Sequence, residues 1–430
     1  MISRILAAEL PEHIGEHVTI AGWLQRRREL KSVTFLVIRD RTGLAQVVLP
    51  PDLPCPATEE TVLQVEGLVV ANAQAPSGAE VTEPVLTPLS GPAVPPPFDL
   101  YRPALTATLP TILDHAPTTL RHPQLRAGFD IAAASAAGFR AALDQRGFTE
   151  IFTPKIVESA TESGANVFGL DYFGRTAYLA QSPQFYKQAM VGVFERVYEV
   201  GPVFRAEPHD TARHLAQYAS LDAELGFITD HFDVMSVCRD AIAGMVDLVG
   251  ERGAPAMRLL GAALPSVPAQ IPHIHFADAM ELISTATGED TRDEPDLAPA
   301  HERRLCEWAQ REHGSELLFV TGYPLASKPF YTYPDPARPA YTYGFDLLFR
   351  GTEIVTGGQR LHRHEDYVKA LAARGMDAAP LAGYLQVFEH GMPPHGGFAI
   401  GLERWTARLT GAANVRQVTL FPRDVHRLSP

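Results

Sequence analysis

Basic, acidic and aromatic residues crowd into one short stretch: Phe204-Arg205-Ala206-Glu207, then Arg213, His214, Leu215, Tyr218, Asp222 and Glu224. Arginine carries a planar fork of donors that suits phosphate and carboxylate oxygens, and acids on a returning strand suit an ammonium group. Such a hairpin could hold a phosphate and an amine together; a surface hairpin tied by ion pairs would show the same pattern. A second concentration runs from Asp346 to Arg360 and contains Glu353 and Thr356, three residues apart near a bend at Gly357-Gly358. A carboxylate and a hydroxyl so placed offer oxygen ligands to a hard cation such as magnesium. Further on, Gly397 and Gly401 provide backbone that a ligand can approach closely, next to another guanidinium, Arg404. A third, weaker cluster spans Arg146 to Pro154, where a helix ending on Gly147 leads into a strand that meets proline. Neither a Walker lysine motif nor a dinucleotide fingerprint accompanies these residues, so nucleotide binding would follow another plan.

The elements that position these clusters belong to a chain of 430 residues, 46% hydrophobic and 20% charged, which is too long for one core and ordinary for a soluble protein. Disordered and collagen-like chains are excluded. No uncharged apolar run reaches the length of a membrane helix, and the first residues lack a secretory apolar core, so a cytoplasmic protein is expected. Cys55, Cys238 and Cys306 lie far apart and form neither a metal pair nor a disulfide framework, which fits a reducing compartment and small buried side chains.

Segments 18–24, 34–38, 44–49 and 62–70 are rich in β-branched and aromatic residues and read as strands, with a turn at Arg41-Thr42-Gly43. Such strands suggest a small closed barrel, and a basic face on it suggests an oligonucleotide-binding fold. That face draws on Arg26, Arg27, Arg28, Lys31, Arg39 and Arg41, opposed only by Glu29 and Asp40. On a chain of net charge −13 it marks a polyanion touched at one defined place, although charged strand edges that discourage aggregation would look alike. Pro84, Pro88, Pro92, Pro95, Pro96, Pro97 and Pro103 then predict a stiff, extended connector. Residues 129–146 predict a helix, with Ile131, Phe139 and Leu143 at helical spacing, and strand-like runs at 197–200, 345–349 and 397–402 are spread among helical ones. The expected fold is α+β: a five-stranded OB-fold barrel over residues 1–98, a hinge over 99–125, and a catalytic domain over 126–430 with an antiparallel sheet flanked by helices.

In order and spacing, the three clusters resemble motifs 1, 2 and 3 of the class II aminoacyl-tRNA synthetases, and most closely those of aspartyl-tRNA synthetases of the shorter, archaeal-like type. The resemblance covers essentially the whole chain. Its most specific stretches are Gln181-Ser-Pro-Gln184-Phe-Tyr-Lys187-Gln, Tyr198-Glu-Val-Gly-Pro-Val-Phe-Arg-Ala-Glu207, Gly357-Gly-Gln-Arg360, Gly391-Met-Pro-Pro-His-Gly-Gly397 and Phe421-Pro-Arg-Asp424. Ala399 departs from the family's middle glycine in motif 3; a methyl is expected to fit there if φ is negative.

The resemblance implies activation of L-aspartate by ATP with Mg2+, then transfer of the aspartyl group to the 3′ end of tRNA without a covalent enzyme intermediate. Positioning and charge stabilisation are then the protein's task. By resemblance, Arg205 holds the α-phosphate, Glu207 reads the adenine amino group and Tyr218 stacks on the base. Arg404 lies against its other face and the γ-phosphate, and both arginines are the catalytic groups. Arg213, His214 and Leu215 occupy the motif 2 loop near the distal phosphates, Gly401 borders the nucleotide, and Glu353 and Thr356 hold magnesium. Lys187 and Arg360 read the side-chain carboxylate of aspartate, with Arg205 and Thr356 alongside, while Glu162, Gln184 and Asp222 surround its ammonium. Asparagine would leave two buried cations short of a negative partner, which favours aspartate. His362, His364 and His395 could suggest a metal, but the family uses no zinc here and none is expected.

In the barrel, Phe35 and Gln46 match the pair that stacks on and hydrogen-bonds the central anticodon base, with Arg26 and Arg28 beside them. The basic face is thereby assigned to tRNA. Members that accept only tRNA(Asp) carry a tryptophan and a lysine where this chain has Gln25 and Pro76. A non-discriminating enzyme is therefore expected, one that also places aspartate on tRNA(Asn) for amidation by a partner amidotransferase. A discriminating enzyme in which Arg26 to Arg28 rebuild the selection, and an asparaginyl enzyme, are the alternatives. Motif 1, from Gly147 to Pro154, implies a homodimer. A tRNA-binding paralogue without activity would have lost motif arginines, and a truncated synthetase-like asparagine synthetase would lack the barrel.

Overall fold

Alternation of apolar and polar residues closes the N-terminal strands into a barrel in the computed structural model, which describes residues 4–51, 53–55, 57–158 and 166–429. Strands β1 (His17–Glu29), β2 (Thr34–Arg39), β3 (Leu44–Leu49), β4 (Val62–Ala71) and β5 (Ala79–Pro88) are bonded in the order β1-β2-β3-β5-β4 and close on themselves. Leu36, Ile38, Val47, Leu49 and Val65 point inward and pack with Val18, Ile20 and Val81. The connector expected from the first prolines is instead β5. Pro84 falls where the register of β5 against β4 shifts, and beyond Val81 no partner on the β3 side needs an N–H, so proline removes no ladder bond there. The chain divides between His122 and Pro123 into two units. Two short helices, Leu109–Asp114 and Ala116–Thr119, belong to the first.

The second unit is built on β6 (Thr149–Glu150), β7 (Ile156–Val157), β8 (Gly169–Tyr172), β9 (Arg175–Leu179), β10 (Arg196–Phe204), β11 (Gln217–Gly226), β12 (His273–His275), β13 (Leu317–Thr321), β14 (Gly344–Phe349), β15 (Thr352–Gln359) and β16 (His395–Gly401). Eight of them form one sheet in the order β12-β13-β14-β15-β16-β11-β10-β6, and β7, β9 and β8 form a small separate one. The centre of the large sheet is antiparallel as expected, but the end pairs β12–β13 and β10–β6 are parallel. The helix Pro123–Asp144 starts earlier than the alanine-rich segment suggested and stops before Gly147, whose φ of 74° suits glycine. It packs with the helix His231–Arg252 against the sheet, and Ile131, Phe139, Ile242, Met245, Leu221 and Phe398 share this core. All three cysteines are buried and unpaired. No helix among the described residues is long and apolar enough to cross a membrane.

Candidate active site

One side of β11 is apolar and buried in the core (Leu221, Ala223, Leu225), so strand alternation turns Tyr218, Ser220, Asp222 and Glu224 to the other face. Two adjoining cavities of about 280 and 310 Å³ open on that side and share Arg205, Glu207, Tyr218, Ser220, Thr356 and Ala399 in their walls. The first collects Arg213, His214, Leu215, Glu353, Gly401 and Arg404. The second collects Gln184, Lys187, Asp222 and Arg360. The residues assigned by resemblance to nucleotide and to amino acid thus fall into separate but continuous chambers, with Arg205 at their junction. Its guanidinium sits 5.6 Å from the centre of the Tyr218 ring. Ala399 is not among the positive-φ residues, which accounts for the methyl in place of glycine. Glu162 lies outside the described residues.

The second chamber ends in a buried quartet of charges. Lys187 Nζ lies 3.0 Å from Asp222 and 3.3 Å from Glu224, and donates to Phe398 O at 3.2 Å. Arg360 Nε donates to the other oxygen of Glu224 at 3.0 Å, and its Nη2 to Gly397 O at 3.0 Å. Ser220 fixes Asp222 with a 2.5 Å hydrogen bond. Lys187 and Arg360 are therefore not bare cations awaiting a ligand carboxylate, as the sequence suggested; buried ions need partners in the protein itself. Glu224, part of the charged hairpin but given no role by the resemblance, is the partner they share. Burial alone would push its carboxyl up, but Arg360 and Lys187 hold it below the ordinary range. Gly397 makes room for it: a Cβ there would meet Glu224 Oε2 at 2.0 Å.

Glu353 and Thr356 both border the first chamber although three residues apart, because the pairing of β14 with β15 jumps from Leu347–Val355 to Leu348–Glu353. The extra residue, Ile354, is a bulge that returns both side chains to one side. Gly357 and Gly358, expected as a bend, continue the strand; a Cβ on Gly357 would meet the Phe345 ring at 2.5 Å. Arg404 Nη1 bonds the Glu353 carboxylate at 3.1 Å and its carbonyl at 3.0 Å. Burial pushes the Glu353 carboxyl up, with Arg404 opposing and Asp346 and Glu302 adding to the rise. Buried Glu302, also missed from sequence, holds Arg213 at 3.0 and 3.1 Å and accepts from Glu353 N. Lys328, another addition, pairs with Asp346 at 3.2 Å. Burial and the neighbouring Arg404 and Arg213 push His214 down to about 4, so it is neutral at pH 7.

Glu403 also borders this chamber, its carboxylate accepting from Ala219 N. Burial pushes it up to about 7 against an ordinary 4.5. An acid raised in the folded state stabilises fully below pH 4.5 and loses that contribution as pH rises through about 7. Glu403→Gln keeps an acceptor for Ala219 and removes the titration. It is expected to gain about 1–2 kcal/mol over wild type at pH 8 and nothing at pH 4, read by urea unfolding at both.

In the barrel, Phe35 and Val37 share the outer face with Gln46, Arg26 and Arg28, because Val37 pairs with Gln46 and Arg26, and Phe35 with Arg28. Gln46 Nε2 donates to Glu80 at 2.7 Å, and Asn72 donates to the same carboxylate oxygen at 2.8 Å. Arg26 lies 4.1 Å over the Tyr101 ring, and Arg28 is exposed. Arg39 does not belong to the basic face: it is buried and bidentate to Glu60 at 2.9 and 2.8 Å. Gln25 occupies a bulge in β1, its carboxamide buried, and Pro76 is exposed in the turn before β5.

A barrel of this topology ahead of a largely antiparallel, mixed sheet with these three motifs defines a tRNA-charging architecture. Residues 109–425 match the tRNA synthetases class II (D, K and N), and residues 18–89 match the OB-fold nucleic acid binding domain. The chain belongs to the class II tRNA synthetases of this group. It is 48% identical to the aspartate–tRNA(Asp/Asn) ligase of Thermus thermophilus over 99% of this chain and 100% of the relative. With the ligase of the same name from Deinococcus radiodurans it shares 45% over 100% and 99%. Among solved structures, the asparaginyl-tRNA synthetase from Pyrococcus horikoshii complexed with asparaginyl-adenylate matches with a TM-score of 0.92 at 30% identity, over all of both chains.

Proposed function

We propose that the chain is an aspartate–tRNA ligase that charges both tRNA(Asp) and tRNA(Asn). The observation that carries the reading is the continuity of the two chambers through Arg205, with a cation-lined nucleotide side and a quartet of two cations and two acids at the other end. A carboxylate oxygen of aspartate attacks the α-phosphorus of ATP in line and pyrophosphate leaves. Arg205 meets the charge that grows on the α-phosphate, and no protein nucleophile is required. Tyr218 and Arg404 enclose the adenine, and Glu207 accepts from its amino group. Glu353 and Thr356 would hold magnesium, which supplies charge neutralisation at the phosphate oxygens when bound. A half-buried carboxyl with a raised pKa suits a site that a dication completes.

Selection of aspartate over asparagine is assigned to Lys187 and Arg360, whose N–H groups suit a carboxylate oxygen and repel the NH2 of a carboxamide. The outer barrel face with Phe35, Gln46, Arg26 and Arg28 takes the anticodon. The two relatives named for both tRNAs support acceptance of tRNA(Asn), as does the lack of a bulky ring at Gln25 and of a cation at Pro76. An amidotransferase then converts the aspartyl group on tRNA(Asn), in the cytoplasm.

Aspartate-dependent exchange of pyrophosphate into ATP tests the first step, and charging of purified tRNA(Asp) and tRNA(Asn) with labelled aspartate tests the second. Charging of the two within about tenfold is expected; about a thousandfold preference for tRNA(Asp) marks a discriminating enzyme instead.

A homodimer is part of this reading. The strand β6 ends the large sheet, and Phe152 just beyond it is 82% exposed, a large ring that a second copy would cover. Light scattering is expected to give twice the 46.9 kDa of the chain, and an active species of single-chain mass overturns the dimer.

A further inference from the structure

Behind the amino acid chamber, side chains from four elements converge on one carboxamide. Gln188 is fully buried on the helix Gln184–Phe194, one turn after Gln184. Its Oε1 accepts from Gln184 Nε2 at 3.0 Å and from the Tyr384 hydroxyl at 2.9 Å. Its Nε2 donates to the Tyr367 hydroxyl at 3.0 Å and to His395 Nε2 at 2.9 Å. Those bonds exhaust what a carboxamide can make.

The directions of the two bonds made by its NH2 are set from outside the group, while the Tyr384 hydroxyl lies within reach of both Gln188 Oε1 and, at 3.1 Å, the Tyr367 hydroxyl. His395 Nδ1 lies 2.9 Å from Pro393 O, an acceptor only, so Nδ1 carries the proton and Nε2 must accept. Burial holds this imidazole down at about 4, which keeps it neutral. The Tyr367 hydroxyl donates to Leu361 O at 2.8 Å and therefore also accepts from Gln188. Both neighbours on one side of Gln188 demand its N–H groups, so its carbonyl oxygen faces Gln184. Gln184 must answer with its NH2, and its own Oε1 turns to the chamber wall, 3.5 Å from Arg360 Nη2.

We propose that Gln188 is a positioning residue for the amino acid: it locks the Gln184 carboxamide with its carbonyl oxygen toward the chamber, where a substrate ammonium donates. The proposal rests on the amino acid reading of that chamber. With Gln188 replaced, Gln184 can turn its NH2 inward, setting donor against donor.

The test is pyrophosphate exchange in the full-length protein, with KM measured separately for aspartate and for ATP. In Gln188→Leu the aspartate KM is expected to rise roughly tenfold, with the ATP KM within about twofold of wild type. Gln188→Glu still offers Gln184 an acceptor, so its aspartate KM is expected within about threefold of wild type. In a Gln184→Leu background, Gln188→Leu is expected to add nothing, because the effect passes through Gln184. An unchanged aspartate KM, a parallel rise of both KM values, or additive effects in the double variant overturns the proposal. If Gln188→Leu does not fold, Tyr384→Phe serves: it removes one donor to Gln188 and keeps the ring, and a raised aspartate KM at constant ATP KM is expected, no change overturning the proposal. Absence of aspartate-dependent exchange in the wild type overturns the functional reading as well, whereas exchange with an unresponsive Gln188→Leu overturns the positioning role alone.

Discussion

Arg205→Ala is expected to lower aspartate-dependent pyrophosphate exchange by roughly a hundredfold to a thousandfold while leaving the fold in place. The side chain follows directly on β10, is exposed, and borders both chambers, so its removal opens no core and costs little stability. Its contribution falls on the transition state. In the proposed reaction, negative charge builds on the α-phosphate oxygens as the carboxylate oxygen closes on phosphorus, and a preorganised guanidinium beside them would need no reorganisation. Arg205→Lys keeps the charge but loses the planar fork and is expected to recover only part of the rate. Binding of tRNA through the barrel should be unaffected, since Arg205 belongs to the other unit. Exchange near the wild-type rate in a folded Arg205→Ala protein would remove Arg205 from the chemistry, and with it the argument that the two chambers share a single step.

How much of this site could be read from the sequence depends on the geometry of the strand that carries each residue. On β11, regular alternation places Tyr218, Ser220, Asp222 and Glu224 on one face, so spacing alone sets Glu224 beside Tyr218 and Asp222, while its pairing with both Lys187 and Arg360 shows only in the fold. On β15 the opposite holds: Glu353 and Thr356 are an odd number of residues apart, and only the bulge at Ile354 brings them to one side. No local pattern announces that bulge. Glu302 and Lys328 come from a helix and a loop far from the motifs, and only the folded chain shows them reaching Arg213 and Asp346. The barrel was legible as strands, yet Pro84 and Pro88 read as connector because proline breaks a ladder wherever both edges are paired, and sequence does not say which edge stays open. Arg39 was counted in the basic face because its partner Glu60 is distant in sequence.

Glu224→Gln is expected to destabilise the protein by roughly 3–5 kcal/mol at pH 7, the cost of leaving a buried charge unmatched. The quartet balances in the folded protein: Lys187 and Arg360 against Asp222 and Glu224, all four no more than 6% exposed. Glutamine retains the shape of Glu224 and an acceptor for Arg360, but leaves one net positive charge in the interior. The dependence on pH separates charge from packing. Glu224 is held below its ordinary 4.5, so its stabilisation is present above that pH and is lost as pH falls through the lower folded value. The deficit of Glu224→Gln should therefore be full at pH 7 and shrink below about 4.5, where the unfolded wild-type chain takes up a proton at Glu224 before the folded protein does; a packing defect would persist unchanged. Lys187→Met added to Glu224→Gln restores neutrality and is expected to recover much of the lost stability without restoring exchange, because the proposed function assigns the substrate's side-chain carboxylate to Lys187. Urea unfolding of the two variants at pH 7 and pH 4 decides it. A Glu224→Gln deficit under about 1 kcal/mol at pH 7, or one that does not change with pH, would mean that the quartet is not an electrostatic unit.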